Sequence, residues 1–475
     1  MLIGGKLTDA VAGGVRASES PATEEVVGLA AWGEEADAEA ALTAAAGAAE
    51  AWRATPGTER AKALVELARR LRDNVDTLAL LEARDVGNPI RTTRFDVESA
   101  AQYLNYFAGL VGELKGATIP IESGGWHFTV REPYGVVVRI VPFNHPLLFA
   151  GSKIAAPLAA GNTVILKPPP QAPLSSLELG RLAADLFPPG VLGIVTGEGP
   201  TVGRYLTSDP RVSRVAFTGS VGSGKAIVAA AGEHLPEVSL ELGGKNPMIV
   251  FPDAQPALVA EAVVRAMNFA WQGQSCGSAS RLFLHDSLYE EVVKDVVARL
   301  NALKLGPPED PETEMGPVVS RAQYDKVLSY IERGRAEGAA VLAGGAAVTG
   351  PGFDKGFWVQ PTVFGDVDEG MAIARDEIFG PVLSVFRWTE ESEVIRLAND
   401  TTFGLTANVW TNDIGTALRV VPQLRAGYCY VNGRTEHFLG LPFGGYRQSG
   451  WGREEALDEL LSYTQLKSVS LLPPR

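Results

Sequence analysis

From Gly135 onward the chain alternates short β-branched runs with segments of helical length, and this alternation restricts its fold more than any other feature. The runs fall at residues 135–141, 163–166, 191–195, 212–217 and 238–240. Strands that alternate with helices pair in parallel, because each return to the sheet requires a crossover. Sheets built this way bind ligands beyond the carboxyl ends of their strands. Here every such end is chemically marked: Pro142-Phe143-Asn144, Lys167-Pro168, Gly197-Glu198-Gly199, Thr218-Gly219-Ser220 and Glu241-Leu242-Gly243-Gly244 follow the five runs in turn.

After Pro247 a second series begins, with apolar runs at 248–251, 281–285, 382–388, 406–410 and 427–431, which predicts a second α/β domain. The first third reads as helices over 35–53, 58–84 and 91–114, with apolar residues every three or four positions. Residues 116–133 alternate in polarity and predict a hairpin, either reaching a partner subunit or lying free on the surface.

A chain of 475 residues has room for two or three domains with well-buried cores. Two cysteines cannot form a disulfide framework, which points to a reducing, cytoplasmic setting. The region 134–166 is broken by Arg139, Asn144, His145, Pro146 and Lys153, so no membrane span is expected, and the N-terminus lacks the apolar core of a signal peptide. A formal charge of −14 without a basic stripe disfavours nucleic acid as a partner. Five histidines outside any metal-like cluster give no case for a metal.

Chemistry concentrates at Cys276, in Trp271-Gln272-Gly273-Gln274-Ser275-Cys276-Gly277, a polar, glycine-flanked setting unlike that of a core cysteine. Cys429, between Tyr428 and Tyr430, reads as a small buried hydrophobe. Glu241 ends an apolar run upstream. A thiolate attacks carbonyl carbon, and a carboxylate can activate the water that later releases an acyl group. The segment from Gly219 to Lys225 also satisfies the phosphate-cradling P-loop pattern until its last position, where Ala226 replaces the magnesium-holding hydroxyl. A P-loop-like nucleotide-binding protein is therefore the alternative from another class.

Seven motifs in order resemble the aldehyde dehydrogenase superfamily, of the NAD(P)-dependent, non-phosphorylating, hydrolytic kind. They are Pro142-Phe143-Asn144-His145-Pro146, residues 161–168, Phe217-Thr218-Gly219-Ser220, residues 241–245, residues 273–276, Glu377-Ile378-Phe379-Gly380-Pro381 and residues 442–450. The resemblance implies two Rossmann-like α/β domains plus a small β oligomerisation element: 1–115 and 134–243 for the dinucleotide, 244–446 for catalysis, and 116–133 with 447–475 for assembly as a homodimer or homotetramer.

It further implies that Cys276 attacks an aldehyde, that Asn144 and the Cys276 backbone N–H hold the oxyanion, and that Glu241 activates the hydrolytic water. Lys153 and Glu454 match positions associated with a proton path. Cofactor contacts are implied for Val141, Lys167, Gly197, Gly219, Ser220, Gly224, Leu242, Glu377 and Phe379. His145, Phe149, Trp271, Phe438 and Phe443 are expected to line an apolar entrance suited to aliphatic or aromatic aldehydes. Pro170 stands where NAD-preferring relatives carry a glutamate, which leaves NAD and NADP both open, and Phe143 replaces a tryptophan. A coenzyme A-acylating relative is disfavoured by Glu241, since transfer to a thiol needs no water-activating base.

Overall fold

The computed structural model describes residues 1–121 and 125–472. The parts of the expected assembly element at 122–124 and 473–475 lie outside the described residues. Five parallel strands form the centre of an eight-stranded sheet, in the order Glu237–Glu241, Val212–Thr218, Val136–Ile140, Thr163–Lys167, Leu192–Ile194. Val136–Ile140 and Thr163–Lys167 are buried throughout, because the sheet is covered on both faces and β-branched residues fill both. Helices Pro146–Ala160, Leu174–Ala183 and Val221–Ala231 make the crossovers.

The expected all-parallel arrangement holds for this centre only. Gly450–Trp451 pairs antiparallel with Glu237–Glu241 at one edge, and Leu2–Ile3 with Lys6–Leu7 closes the other. The segment 447–475 is therefore divided. Its first part completes the large sheet, and its strand Thr464–Leu471 pairs with Trp126–Pro133, which also pairs with Thr118–Ile119. The helix expected over 58–84 is two, Gly57–Asp73 and Val75–Val86, because Asn74 leaves helical geometry at φ −115°, ψ 18°.

The second sheet has seven strands in the order Ala340–Ala343, Thr362–Gly365, Val382–Trp388, Arg281–His285, Pro247–Val250, Thr406–Trp410, Tyr428–Val431, with only the first antiparallel. Residues 242–246 are all that separates the last parallel strand of the first sheet from the first strand of the second. At that crossing the carboxyl ends of the first sheet's parallel strands meet the amino ends of the second sheet's strands.

Candidate active site

Register places the marked strand ends on one row. Ile140 lies opposite Lys167 and Phe217, and Thr218 lies opposite Glu241. Lys167 and Glu241 are thus three strand spacings apart, about 14 Å along the sheet edge. Between them Val141 donates its N–H to the Lys167 carbonyl at 3.2 Å.

Two glycines let the crossing pass between Glu377 and Cys276. A Cβ on Gly243 would stand 2.1 Å from Glu377 Oε2, and one on Gly244 would stand 2.7 Å from the Cys276 carbonyl. Only a bare backbone fits, and it is used: Gly244 N–H donates to Glu377 Oε1 at 3.0 Å, and Asn246 Nδ2 donates to the Cys276 carbonyl at 2.7 Å. Cys276 itself follows a tight turn, Phe269–Trp271, flanked by left-handed Asn268 (φ 57°) and Gln272 (φ 54°). Such backbone costs free energy and persists where surrounding contacts enforce it. Here Gln274 does so, donating to Gln272 Oε1 at 2.8 Å and accepting from Val319 N–H at 3.1 Å.

Cys276 is partly exposed and packs against Leu405, Tyr428, Tyr430 and Phe443. Burial, with the charges of Glu377 and Glu241 behind it, pushes the thiol up to about 12. Asn144 is buried; its backbone carbonyl accepts from Asn88 Nδ2 at 2.9 Å, and its side-chain oxygen has no partner. Glu241 is 5% exposed, and neither of its carboxylate oxygens has a protein partner. Burial first, and then the anion of Glu454, lifts its pKa well above the usual carboxylate range. Gly444 keeps this space open, since a Cβ there would lie 2.8 Å from Glu241 Oε1.

Glu454 is paired twice, with Arg139 and with Lys153 Nζ at 2.6 Å. Burial would raise its carboxyl, but the two cations hold it down to about 2, so it stands as a fixed anion. Arg139 was visible only as a charge inside an apolar run. Its complete burial in a central strand is the signal that a partner had to exist.

At the other end of the row, burial drives Lys167 down to about 8, with Glu198 opposing that shift. Gly197 takes φ 137°, where any side chain would meet Val202 and the Gly33 carbonyl. Ser220 caps helix Val221–Ala231 by accepting from Ser223 N–H, and Gly224 packs against Leu242. The Gly219 N–H is already given to the Glu241 carbonyl at 3.0 Å. The free donors at this helix start are the N–H groups of Val221 and Gly222, which have no partner among the described residues. Because the helix begins at Val221, Gly222 and Gly224 lie inside it and Lys225 is exposed. That corrects the P-loop alternative: there is no glycine loop to wrap a phosphate and no lysine turned inward. Phe379, at φ 58°, meets Phe143 edge to face at 5.6 Å.

Among the expected entrance residues, His145 contacts Phe149 and Trp271 at ring distances of 5.6 and 5.3 Å, and Phe443 reaches Cys276. Phe438 leaves 59% of its surface exposed. Asp96, Glu455 and His437 escaped sequence reasoning altogether: Asp96 accepts from His145 Nδ1 at 3.0 Å, and Glu455 from His437 Nδ1 at 2.9 Å. No motif marks these carboxylates.

Among the described residues no helix is long and apolar enough to cross a membrane, and no group of side chains could hold a metal ion. A model of the aldehyde dehydrogenase family matches residues 11–469. The aldehyde dehydrogenase tropH of Talaromyces stipitatus is 46% identical over 463 residues, spanning 96% of this chain and 90% of that one. An aldehyde dehydrogenase from Bacillus cereus, solved as an NAD+ complex, is 40% identical with a TM-score of 0.96, covering 99% of this chain and 96% of that one. A 3,6-anhydro-L-galactose dehydrogenase solved with NADP is 34% identical with a TM-score of 0.97, covering 99% of each chain.

Proposed function

The chain belongs to the aldehyde dehydrogenase family and is an NAD(P)-dependent aldehyde dehydrogenase; from that premise we propose that Cys276 is the nucleophile, Asn144 an oxyanion donor and Glu241 the hydrolytic base. The observation that carries this reading is the crossing at 242–246, whose glycines fit between Glu377 on one side and the Cys276 carbonyl on the other.

The residues present fit a dinucleotide. Lys167 offers a buried amine, the Val221 and Gly222 N–H groups offer donors for a pyrophosphate at a helix start, and Glu377 offers a carboxylate for ribose hydroxyls. When bound, the nicotinamide accepts hydride. The thiol stands protonated at neutral pH, so attack requires that its proton be taken up; the new C–S bond then leaves an oxyanion on the former carbonyl oxygen. A side-chain donor such as Asn144 at that oxygen is worth about 3 kcal/mol. After hydride loss the product is a thioester on Cys276. Glu241, high in pKa and free of hydrogen bonds, takes a proton from the attacking water, and collapse of the adduct releases a carboxylic acid and the thiol.

Lys153, Arg139 and Glu454 act as positioning residues in this scheme. Glu454 stays ionised and strengthens Glu241 as a base by its nearby charge. For the cofactor, Glu198 makes up for Pro170: its charge acts on Lys167, and Arg16 holds it at 2.5 Å. A carboxylate there repels a 2′-phosphate, so NAD is preferred over NADP. The sheet of Thr118–Ile119, Trp126–Pro133 and Thr464–Leu471 exposes Trp126, Ile119, Leu466 and Leu471, which suits a subunit contact in a homodimer or homotetramer. Free thiols without a disulfide suit a cytoplasmic setting.

The test is aldehyde-dependent reduction of NAD with equimolar carboxylic acid formed and no dependence on coenzyme A. Cys276→Ala abolishes both products; retention of either by that variant refutes the assignment.

A further inference from the structure

The entrance is not uniformly apolar. His145 directly follows Asn144, and its ring contacts Trp271, which lies on the turn leading to Cys276. His437 lies against Phe443 at 4.5 Å between ring centroids, and Phe443 packs on Cys276. The two histidines therefore approach the thiol from different elements, one from the first sheet and one from the loop after the second. They are held alike. Asp96 Oδ2 accepts from His145 Nδ1 at 3.0 Å, and both Glu455 oxygens accept from His437 Nδ1 at 2.9 and 3.0 Å. A carboxylate on Nδ1 fixes the proton there and commits Nε2 to whatever the ring faces.

Neither Nε2 has a partner among the described residues. Two polar atoms nearby are buried without one, Trp271 Nε1 and Tyr430 Oη, while the His437 side chain keeps 39% of its surface exposed. A buried polar group is costly to leave unsatisfied, so Trp271 Nε1 and Tyr430 Oη favour a ligand that brings a polar atom to this side of the entrance. The surroundings also decide which polar group is welcome. Glu241, Glu377 and Glu455 all raise the Cys276 thiol by their charge, and each histidine already has its own anion. A further negative charge is opposed, and a neutral hydroxyl is not, because it can donate to or accept from Nε2.

We propose that His145 and His437, each anchored through Nδ1 by Asp96 or Glu455, are specificity-determining residues that select aldehydes carrying a neutral hydroxyl group remote from the carbonyl. The inference rests on the proposed roles of Cys276 and Asn144 and names the substrate class of that same site. It also replaces the expectation of an entrance that sorts aldehydes by apolar character alone. Asp96 and Glu455 are positioning residues within it.

Matched aldehydes test the idea: 3-hydroxybenzaldehyde and 4-(hydroxymethyl)benzaldehyde against their 3-methyl and 4-ethyl counterparts, with 4-carboxybenzaldehyde as the anion. At least one hydroxylated member of a pair is expected to show kcat/KM about tenfold above its alkyl partner, expressed in KM, with the carboxylate poorest. In the His145→Phe/His437→Phe variant that ratio falls to about one. A purely structural role for the histidines would instead lower kcat/KM for all five aldehydes by a common factor and leave the ratio intact, which overturns the inference. Equal kcat/KM within both pairs for the native enzyme, or a preference for the carboxylate, overturns it as well. If the native enzyme oxidises none of the five aldehydes nor any simple aliphatic aldehyde, the proposed function itself fails, and this inference with it.

Discussion

Lys153 donates from Nζ to Glu454 Oε2 across 2.6 Å, with only 3% and 7% of the two side chains exposed. Arg139 holds the other oxygen of the same carboxylate. One carboxylate thus pairs with two buried cations, and removing it takes away the hydrogen-bonded anion of both. Glu454→Gln is expected to lower unfolding free energy by about 3–5 kcal/mol in denaturant titration. The pH dependence has a definite sign: a folded pKa of about 2 against an ordinary 4.5 gives stability that is present above 4.5 and is lost as pH falls toward 2. In a variant that still folds, loss of the neighbouring anion moves the acidic limb of the kcat profile to lower pH. An unmoved limb would show that Glu454 does not act on Glu241.

The proposed role of Glu241 separates the two halves of the reaction. With Glu241→Gln, hydride transfer continues until the thioester accumulates, so a single-turnover burst of reduced nucleotide survives while steady turnover falls by about 10²–10⁴. Rapid-mixing absorbance reads both. Absence of the burst would place Glu241 before hydride transfer. In the native enzyme, turnover rises with pH through a limb above the usual carboxylate range, because the raised acid must ionise to act.

The proposed preference for NAD rests on Glu198 and its influence on Lys167. Glu198→Gln removes the negative charge near the lysine and leaves Arg16 without its partner, a second cation available to a 2′-phosphate. The ratio of kcat/KM for NAD over NADP is expected to fall about tenfold or more. Initial rates with each dinucleotide measure it, and an unchanged ratio assigns the choice to other groups.

Asp85 lies away from the site, buried, with Ser18 Oγ donating to one oxygen and Leu174 N–H donating to the other at 3.1 Å. Burial pushes its pKa up to about 7. A folded pKa above the unfolded value of 3.8 means the folded state holds a proton that the unfolded chain releases, so this group costs stability as pH rises from about 4 to 7. Asp85→Asn keeps the shape of the protonated acid; its amide oxygen meets Leu174 and its N–H₂ meets Ser18. The melting temperature of the variant is therefore expected to fall less between pH 5 and 8 than that of the native protein, as followed by thermal melts across that range.

Much of the sheet framework was legible because a strand buried on both faces must be an unbroken apolar run. Val136–Ile140, Thr163–Lys167, Arg281–His285 and Val382–Trp388 all fall where such runs occur. Strands without that burden escaped. Leu2–Ile3, Lys6–Leu7, Val15–Glu19 and Val26–Ala31 form edge or surface pairs with exposed positions; Thr362–Gly365, although buried throughout, escaped because it is only four residues long.

The sequence by itself determined which reactive groups exist and at which strand ends they sit: Cys276 in its glycine-bounded turn, Glu241 and Lys167 at the carboxyl ends of their strands, and the glycines that let the chain cross between them. Those are local facts, set by hydrophobic period and by backbone that only glycine tolerates. Only the tertiary structure decided which carboxylate serves which cation or ring. Asp96 reaches His145 across 49 positions, and Glu454 reaches Arg139 across 315. Such pairings depend on how helices and sheets pack against one another, and a buried charge records in the sequence only that it needs a partner, not where along the chain that partner lies.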